Sequence, residues 1–129
     1  MKDKLIQTAK SALDYAYVPY STFKVGAALV TKSGSIYSGC NIENASYPLT
    51  CCAERTAIFK AVSEGEKDLV EMAVIADSEG PVSPCGACRQ VMTEFFSPDA
   101  IIYLTNLTGD LKVITVKELL PYSFSLHEK

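Results

Sequence analysis

No stretch of this chain approaches the ~20 consecutive apolar residues that span a bilayer, so no membrane segment is expected. Its first twenty residues carry Asp3 and Asp14 and no hydrophobic h-region, so no signal peptide is expected either. It also lacks a basic run. The formal net charge is −3 and the pI about 5.1. That balance offers no electrostatic footprint for nucleic acid or an anionic membrane. Internal repeats, linkers and low-complexity tracts are missing, which leaves residues 1–129 as one domain. Histidine occurs once, at His127, near a terminus and away from every motif, where a solvated tail is expected. The five cysteines are an odd count. They argue against a closed disulfide framework and for the reducing cytoplasm.

What remains is ordinary for a globular chain of one hydrophobic core, with 48% apolar and 21% charged residues. Residues 3 to 16 read as an amphipathic helix: Leu5, Ile6, Ala9, Ala12, Leu13 and Ala16 recur near the helical period. Asp3 stands where a cap would, and Pro19 where the helix should have ended. Residues 23–30 and 35–41 read as a hairpin turning at Ser33-Gly34. A second helix is expected from Thr50 or Cys51 to Ser63, with Ala53, Ala57 and Ala61 in a row that permits close packing. The apolar run 70–77 reads as a buried strand. A third helix should start at Cys85 or Gly86 and end before Ser97-Pro98. Strands follow at 100–104 and 111–115, then a short helix closing at Leu120. The connection between those last strands is too short for the dozen or more residues of a parallel crossover. The fifth strand should therefore run antiparallel to the fourth.

The chemistry gathers in two motifs. Cys52-Ala53-Glu54 supplies a thiolate and a carboxylate two residues apart, and Pro84-Cys85-Gly86-Ala87-Cys88 supplies two thiolates at C-x-x-C spacing. Three soft ligands suit a zinc ion with one position left for a reactant, and a carboxylate beside that position suits a general acid/base. Both motifs fall at expected helix N-termini, where free N–H groups and the helix dipole stabilise thiolates. A structural zinc site is the competing reading, with Cys40 or Cys51 closing the tetrahedron. Cys51 also rivals Cys52 in register, but only Cys52 gives C-x-E.

Cys52-Ala53-Glu54-Arg55-Thr56-Ala57, followed by Pro84-Cys85-Gly86-Ala87-Cys88-Arg89-Gln90, resembles the cytidine deaminase family in its small, all-cysteine form. The likeness extends from Tyr20-Ser21 to Leu119-Leu120-Pro121. It implies an α/β, three-layer cytidine deaminase-like fold with a five-stranded mixed sheet flanked by helices. It implies one Zn2+ per chain on Cys52, Cys85 and Cys88. It implies hydrolysis of cytidine and 2′-deoxycytidine with water to the uridines: a zinc-held hydroxide attacks C4 while Glu54 shuttles protons. Arg55 would offset the charge of three thiolates. Asn41 and Glu43 would read the ribose 3′-hydroxyl, Phe23 would lie beside the pyrimidine, and the Ala53 backbone would face the base carbonyl. Phe124 resembles a tail phenylalanine that stacks on the base in a neighbour's site, within a homotetramer whose sites are shared across subunits. Family members acting on tRNA or DNA have a helix before a parallel fifth strand, which the short connection here disfavours. Deamination of a cytosine nucleoside antibiotic stays open as a same-chemistry alternative, and a non-catalytic zinc module as one of another class. Asn41 and Glu43 favour the first against the antibiotic, and Glu54 disfavours the second.

Overall fold

The computed structural model describes residues 1–126, so His127 lies outside the described residues. The elements are α1 (Lys2–Leu13), β1 (Val25–Thr31), β2 (Ile36–Cys40), α2 (Ala53–Ser63), β3 (Leu69–Ala76), α3 (Gly86–Phe95), β4 (Phe96–Asn106), β5 (Leu111–Thr115) and α4 (Val116–Leu119). A single 3-10 turn, Tyr47–Leu49, precedes α2. The five strands form one sheet in the order β2-β1-β3-β4-β5. β4 runs parallel to β3, and β5, as expected, antiparallel to β4.

Strand periodicity explains why β1 is buried along its whole length. Ala27 and Leu29 point to one face, where they meet Ala53, Ala57, Ile58 and Ala61 of α2 and Met92 of α3. Ala28 and Val30 point to the other, where Leu5, Ala9 and Leu13 of α1 cover them. Each fully buried aliphatic side chain, such as Leu5, Leu29 or Ile58, contributes roughly 1.5–3 kcal/mol relative to exposure.

Strand direction brings the two motifs together. Both β2 and β3 run antiparallel to β1, so their C-terminal ends share one edge of the sheet. Helix α2 follows β2 and α3 follows β3, so both N-termini return to that edge. Val25, opposite Ala76, puts the start of β1 there as well. Ligands of open α/β sheets bind outside the carboxyl ends of the strands, and here Cys52, Cys85 and Phe23 converge on that border.

Three local expectations are corrected. Helix α1 stops at Leu13, short of Ala16 and well before Pro19; Asp14 closes it with an N–H bond to Ala12. Met1 is its N-cap, while Asp3 sits inside the first turn with no side-chain cap bond. Strand β4 begins at Phe96 instead of Ala100, because Pro98 falls in an irregularity between the Leu69–Phe96 and Glu71–Ile101 pairs, where no ladder N–H is required. The alanine row of α2 is wholly consumed within the chain: Ala53, Ala57 and Ala61 have no exposed surface and face the sheet. A Cβ on Gly39 of β2 would stand 2.6 Å from the Ala57 nitrogen and 2.9 Å from the Ala53 oxygen. The close approach that the alanines permit is therefore to β2, and the row offers no surface to another subunit.

Candidate active site

Cys52 is the N-cap of α2 and Cys85 the N-cap of α3, both in extended backbone. The Cys85 sulfur accepts the Cys88 N–H at 3.4 Å, which seats Cys88 in the first turn with its side chain buried. The three Sγ atoms all lie within 4.8 Å of one another, and those of Cys52 and Cys85 are 3.8 Å apart. Sulfurs bound about 2.3 Å from a tetrahedral zinc stand about 3.8 Å from each other, so the donor set fits that ion. Among the described residues the group ends at three. Cys51, the register rival, takes a 3.5 Å bond from Thr56 Oγ1, and Cys40 is half-buried at the end of β2. A structural site would need a fourth ligand, and neither cysteine joins the group.

Arg55 lies against this cluster, with one guanidinium nitrogen 3.3 Å from the Cys52 sulfur. Its Nε is buried and meets no acceptor among the described residues. Hydrogen bonding to Cys52 raises the arginine further into its charged range. In the chain alone the cysteines divide their protons unequally. Hydrogen bonding with Cys88, then with Arg55, lowers Cys52 despite its burial, whereas the bond to Cys52 and burial raise Cys88.

Glu54 follows in the first turn of α2 and is 4% exposed. Burial, reinforced by the Cys52 charge, pushes its carboxyl up to about 7. A carboxyl so placed can hold or release a proton near neutral pH.

The other expected contacts form a second group, joined to the first through the backbone. Ile42 exchanges two 2.9 Å bonds with Cys51, while Tyr17 accepts from Glu43 N and donates to Asn41 O. The Asn41–Glu43 segment is thereby fixed one residue from Cys52. Asn41 Oδ1 accepts the Val25 N–H at 3.0 Å and its Nδ2 donates to Phe23 O at 2.8 Å. Glu43 is buried and accepts the N–H groups of Tyr20 and Ser21 and the Ser21 hydroxyl. The Ser21 hydroxyl, followed by these N–H bonds, holds Glu43 below the usual carboxylate range against the opposing effect of burial. Phe23 is 42% exposed, so it is not core. Ala53 is fully buried, as the first residue of α2.

Ser21 was not singled out by sequence reasoning. It donates to Glu43 and accepts the Phe23 N–H at 3.0 Å, so one hydroxyl links both residues. The only signal for it is a serine next to Tyr20 in the loop between helix and strand. Phe124 is placed differently: its carbonyl takes a 3.0 Å bond from Gln90 of α3, and its ring is exposed. Cavities of about 430 and 410 Å³ lie elsewhere, one beside Arg89 and Lys112 and one beside Thr8 and Cys40. Neither is lined by the three sulfurs or by Glu54.

Three thiols one ligand short of a closed tetrahedron, with a buried acid beside them, are the parts of a zinc-dependent hydrolytic enzyme. Residues 1–105 match the family model described as the cytidine and deoxycytidylate deaminase zinc-binding region. The chain is 59% identical over 123 residues to a cytidine deaminase of Sporosarcina psychrophila, covering 95% of this chain and 90% of that protein. It is 58% identical over 127 residues to one of Halalkalibacterium halodurans, covering 98% and 96%. A crystal structure of cytidine deaminase from Burkholderia pseudomallei superposes with a TM-score of 0.93 at 50% identity, over 96% of this chain and 99% of that one. The chain belongs to the cytidine and deoxycytidylate deaminase family.

Proposed function

We infer that this protein is a cytidine deaminase, converting cytidine and 2′-deoxycytidine with water into the uridines and ammonia. The observation that carries the reading is the three-sulfur group at two helix N-termini with Glu54 buried beside it. Cys52, Cys85 and Cys88 hold one zinc per chain. Bound there, zinc supplies Lewis acidity and makes water nucleophilic near neutral pH. The chain's own groups do the rest. Arg55 offsets the excess charge of three thiolates. Glu54 takes a proton from the attacking water and gives it to ring N3, then takes the remaining proton from the hydroxyl added at C4 and gives it to the amine, which leaves as ammonia while the C4 carbonyl forms. A carboxyl near its midpoint at neutral pH suits an acid and base in one cycle.

Substrate reading falls to the second group. Asn41 and Glu43 meet the ribose 3′-hydroxyl, Phe23 flanks the pyrimidine, and the Ala53 backbone faces the base carbonyl. Glu43 is already pre-aligned by Ser21 and Asn41 by the backbone of residues 23 and 25, so little ordering remains to be done on binding.

The finer reading is a homotetramer with sites completed across subunits. Ser123 and Ser125 line a small cavity with Thr93, Val116 and Lys117. The intervening large residues point away: Tyr122, Phe124 and Leu126 are 106%, 69% and 87% exposed. An extended tail that keeps its serines and presents its apolar side chains suits insertion into a neighbour, with Phe124 stacking on the neighbour's base. Tyr15, Tyr17, Tyr20 and Tyr47 are exposed too, and aromatics are enriched at such interfaces. None of the five cysteines is in a disulfide, in keeping with a cytoplasmic site of action. Among the described residues no helix is long and apolar enough to cross a membrane.

The test is purified protein with cytidine, free cytosine and cytidine 5′-phosphate in parallel, followed by the ultraviolet change on deamination. Cytidine should be converted and the other two poorly: free cytosine leaves Asn41 and Glu43 unpaired, and unpaired buried polar groups are costly, while no cluster of lysines or arginines near the motifs awaits a phosphate. No conversion of cytidine by zinc-loaded protein would end this reading; comparable efficiency on free cytosine would show that Asn41 and Glu43 do not read the sugar.

A further inference from the structure

Arg89 and Gln90 follow the last sulfur ligand directly, and neither has a part in the chemistry above. Arg89 spends its whole guanidinium on one junction. Its Nε donates to Pro84 O at 2.8 Å, one terminal nitrogen to Leu119 O at 2.8 Å, and the other to Ser83 Oγ at 2.7 Å. Ser83 and Pro84 lead into Cys85, and Leu119 ends α4 where the tail departs. One planar fork thus fixes the ligand loop to the root of the tail. One residue on, Gln90 Nε2 reaches Phe124 O at 3.0 Å. Between these anchors the chain reverses at Pro121-Tyr122, with Tyr122 at φ 56° and its side chain fully exposed. That backbone is unfavourable for a bulky residue and persists where its surroundings enforce it.

We propose that Arg89 and Gln90 are positioning residues that clamp the C-terminal tail to the metal-ligand helix and so set where Phe124 is presented. This rests on the reading of Phe124 as a substrate contact. Arg89 fixes where the tail leaves α4, and Gln90 fixes the one carbonyl that orients the Phe124 ring. The tail's geometry is thereby tied to the helix of Cys88: Arg89 joins the ligand loop to the root of the tail, and Gln90 joins the same helix to Phe124.

The experiment uses the full-length zinc protein and the variants Gln90→Met, Phe124→Ala and their double. Methionine keeps the length and helix preference of glutamine but cannot donate. Two readouts are taken: the rate of chymotryptic cleavage at Tyr122 and Phe124, and kcat and KM for cytidine. Gln90→Met should speed cleavage several-fold. It should raise KM about three- to tenfold, the range of one lost hydrogen bond, with kcat and zinc content unchanged. In the Phe124→Ala background it should add nothing to KM. Gln90→Lys, which keeps a donor, should restore both readouts to near the parent values. Arg89→Lys should likewise speed cleavage and raise KM, and an insoluble Arg89 variant would leave the Gln90 series to decide. Cleavage unchanged in Gln90→Met overturns the clamp. Faster cleavage with unchanged KM, where Phe124→Ala does raise KM, overturns its role in binding. A Phe124→Ala variant with the parent KM instead overturns the reading of Phe124 itself.

Discussion

Glu54 and Glu43 are both nearly buried carboxyls, 4% and 7% exposed, and their surroundings drive them in opposite directions. Glu54 is raised by burial and by the Cys52 charge, which suits the proton carrier proposed above. Glu43 is lowered by Ser21, and remains an anion that can accept a hydroxyl. Glu54→Gln should keep its zinc and bind cytidine while turnover falls by ~10²–10⁴ or more, the usual worth of an acid–base group. Rapid assay beside metal analysis checks this, and a variant within tenfold of the parent would remove Glu54 from the mechanism. Arg55→Ala should lower kcat more than it alters KM, because the sulfur group loses its nearest cation; an unchanged kcat and pH profile would discard the compensation idea. Ser21→Ala tests the link that sequence reasoning overlooked. A lowered carboxylate stabilises the fold above its ordinary value of 4.5 and ceases to do so as pH falls through its folded value. Ser21→Ala should therefore be less stable than the parent in chemical unfolding at pH 7, with the difference shrinking as pH falls below 4.5, and its KM for cytidine should rise. Equal stabilities at pH 7 would show that the Ser21–Glu43 bond contributes nothing.

Helix α2 is the element on which the site depends, because Cys52, Ala53, Glu54 and Arg55 are its first residues. Its position is set by contact with β2 at Gly39, where a side chain would meet Thr56 Cβ at 2.8 Å as well as the backbone of residues 53 and 57. Gly39→Ala should cost about 1–3 kcal/mol by overpacking, measured by chemical unfolding, and should weaken zinc retention because the Cys52 end of α2 must move. Stability within a few tenths of a kcal/mol would mean that α2 yields without cost. The order and type of the elements were legible from hydrophobic period and turn residues, and the loop between β4 and β5 correctly dictated an antiparallel pair. Boundaries were less legible. Leu13 and Ala16 both fit the helical period, and only packing under the sheet distinguishes Leu13, which is buried, from Ala16, which lies beyond the end of α1. The three-sulfur group was readable because its members sit in two short motifs, C-x-E and C-x-x-C. The neighbours that align Asn41 and Glu43 were not, because the bonds to Ser21 and Val25 span 22 and 16 residues.

At the scale of the whole molecule, the sheet brings two helix N-termini to one edge, and the metal ligands come from both. A zinc held by these sulfurs would join α2 to α3 and should contribute to folding as well as to reaction. The tail lies across α3 and α4 with its aromatic residues turned outward. Light scattering should report four chains per particle. Truncation before Tyr122 should raise KM for cytidine roughly tenfold or more, given ~1–3 kcal/mol per stacked base, with zinc retained. A fully active monomer would mean that each site is built within one chain. The most direct test of the central claim is stepwise zinc removal, with bound zinc and cytidine turnover measured on the same samples. Turnover should fall in proportion to bound zinc, from one ion per chain at full activity to none in the zinc-free protein. Undiminished deamination by protein that contains no zinc would contradict the account.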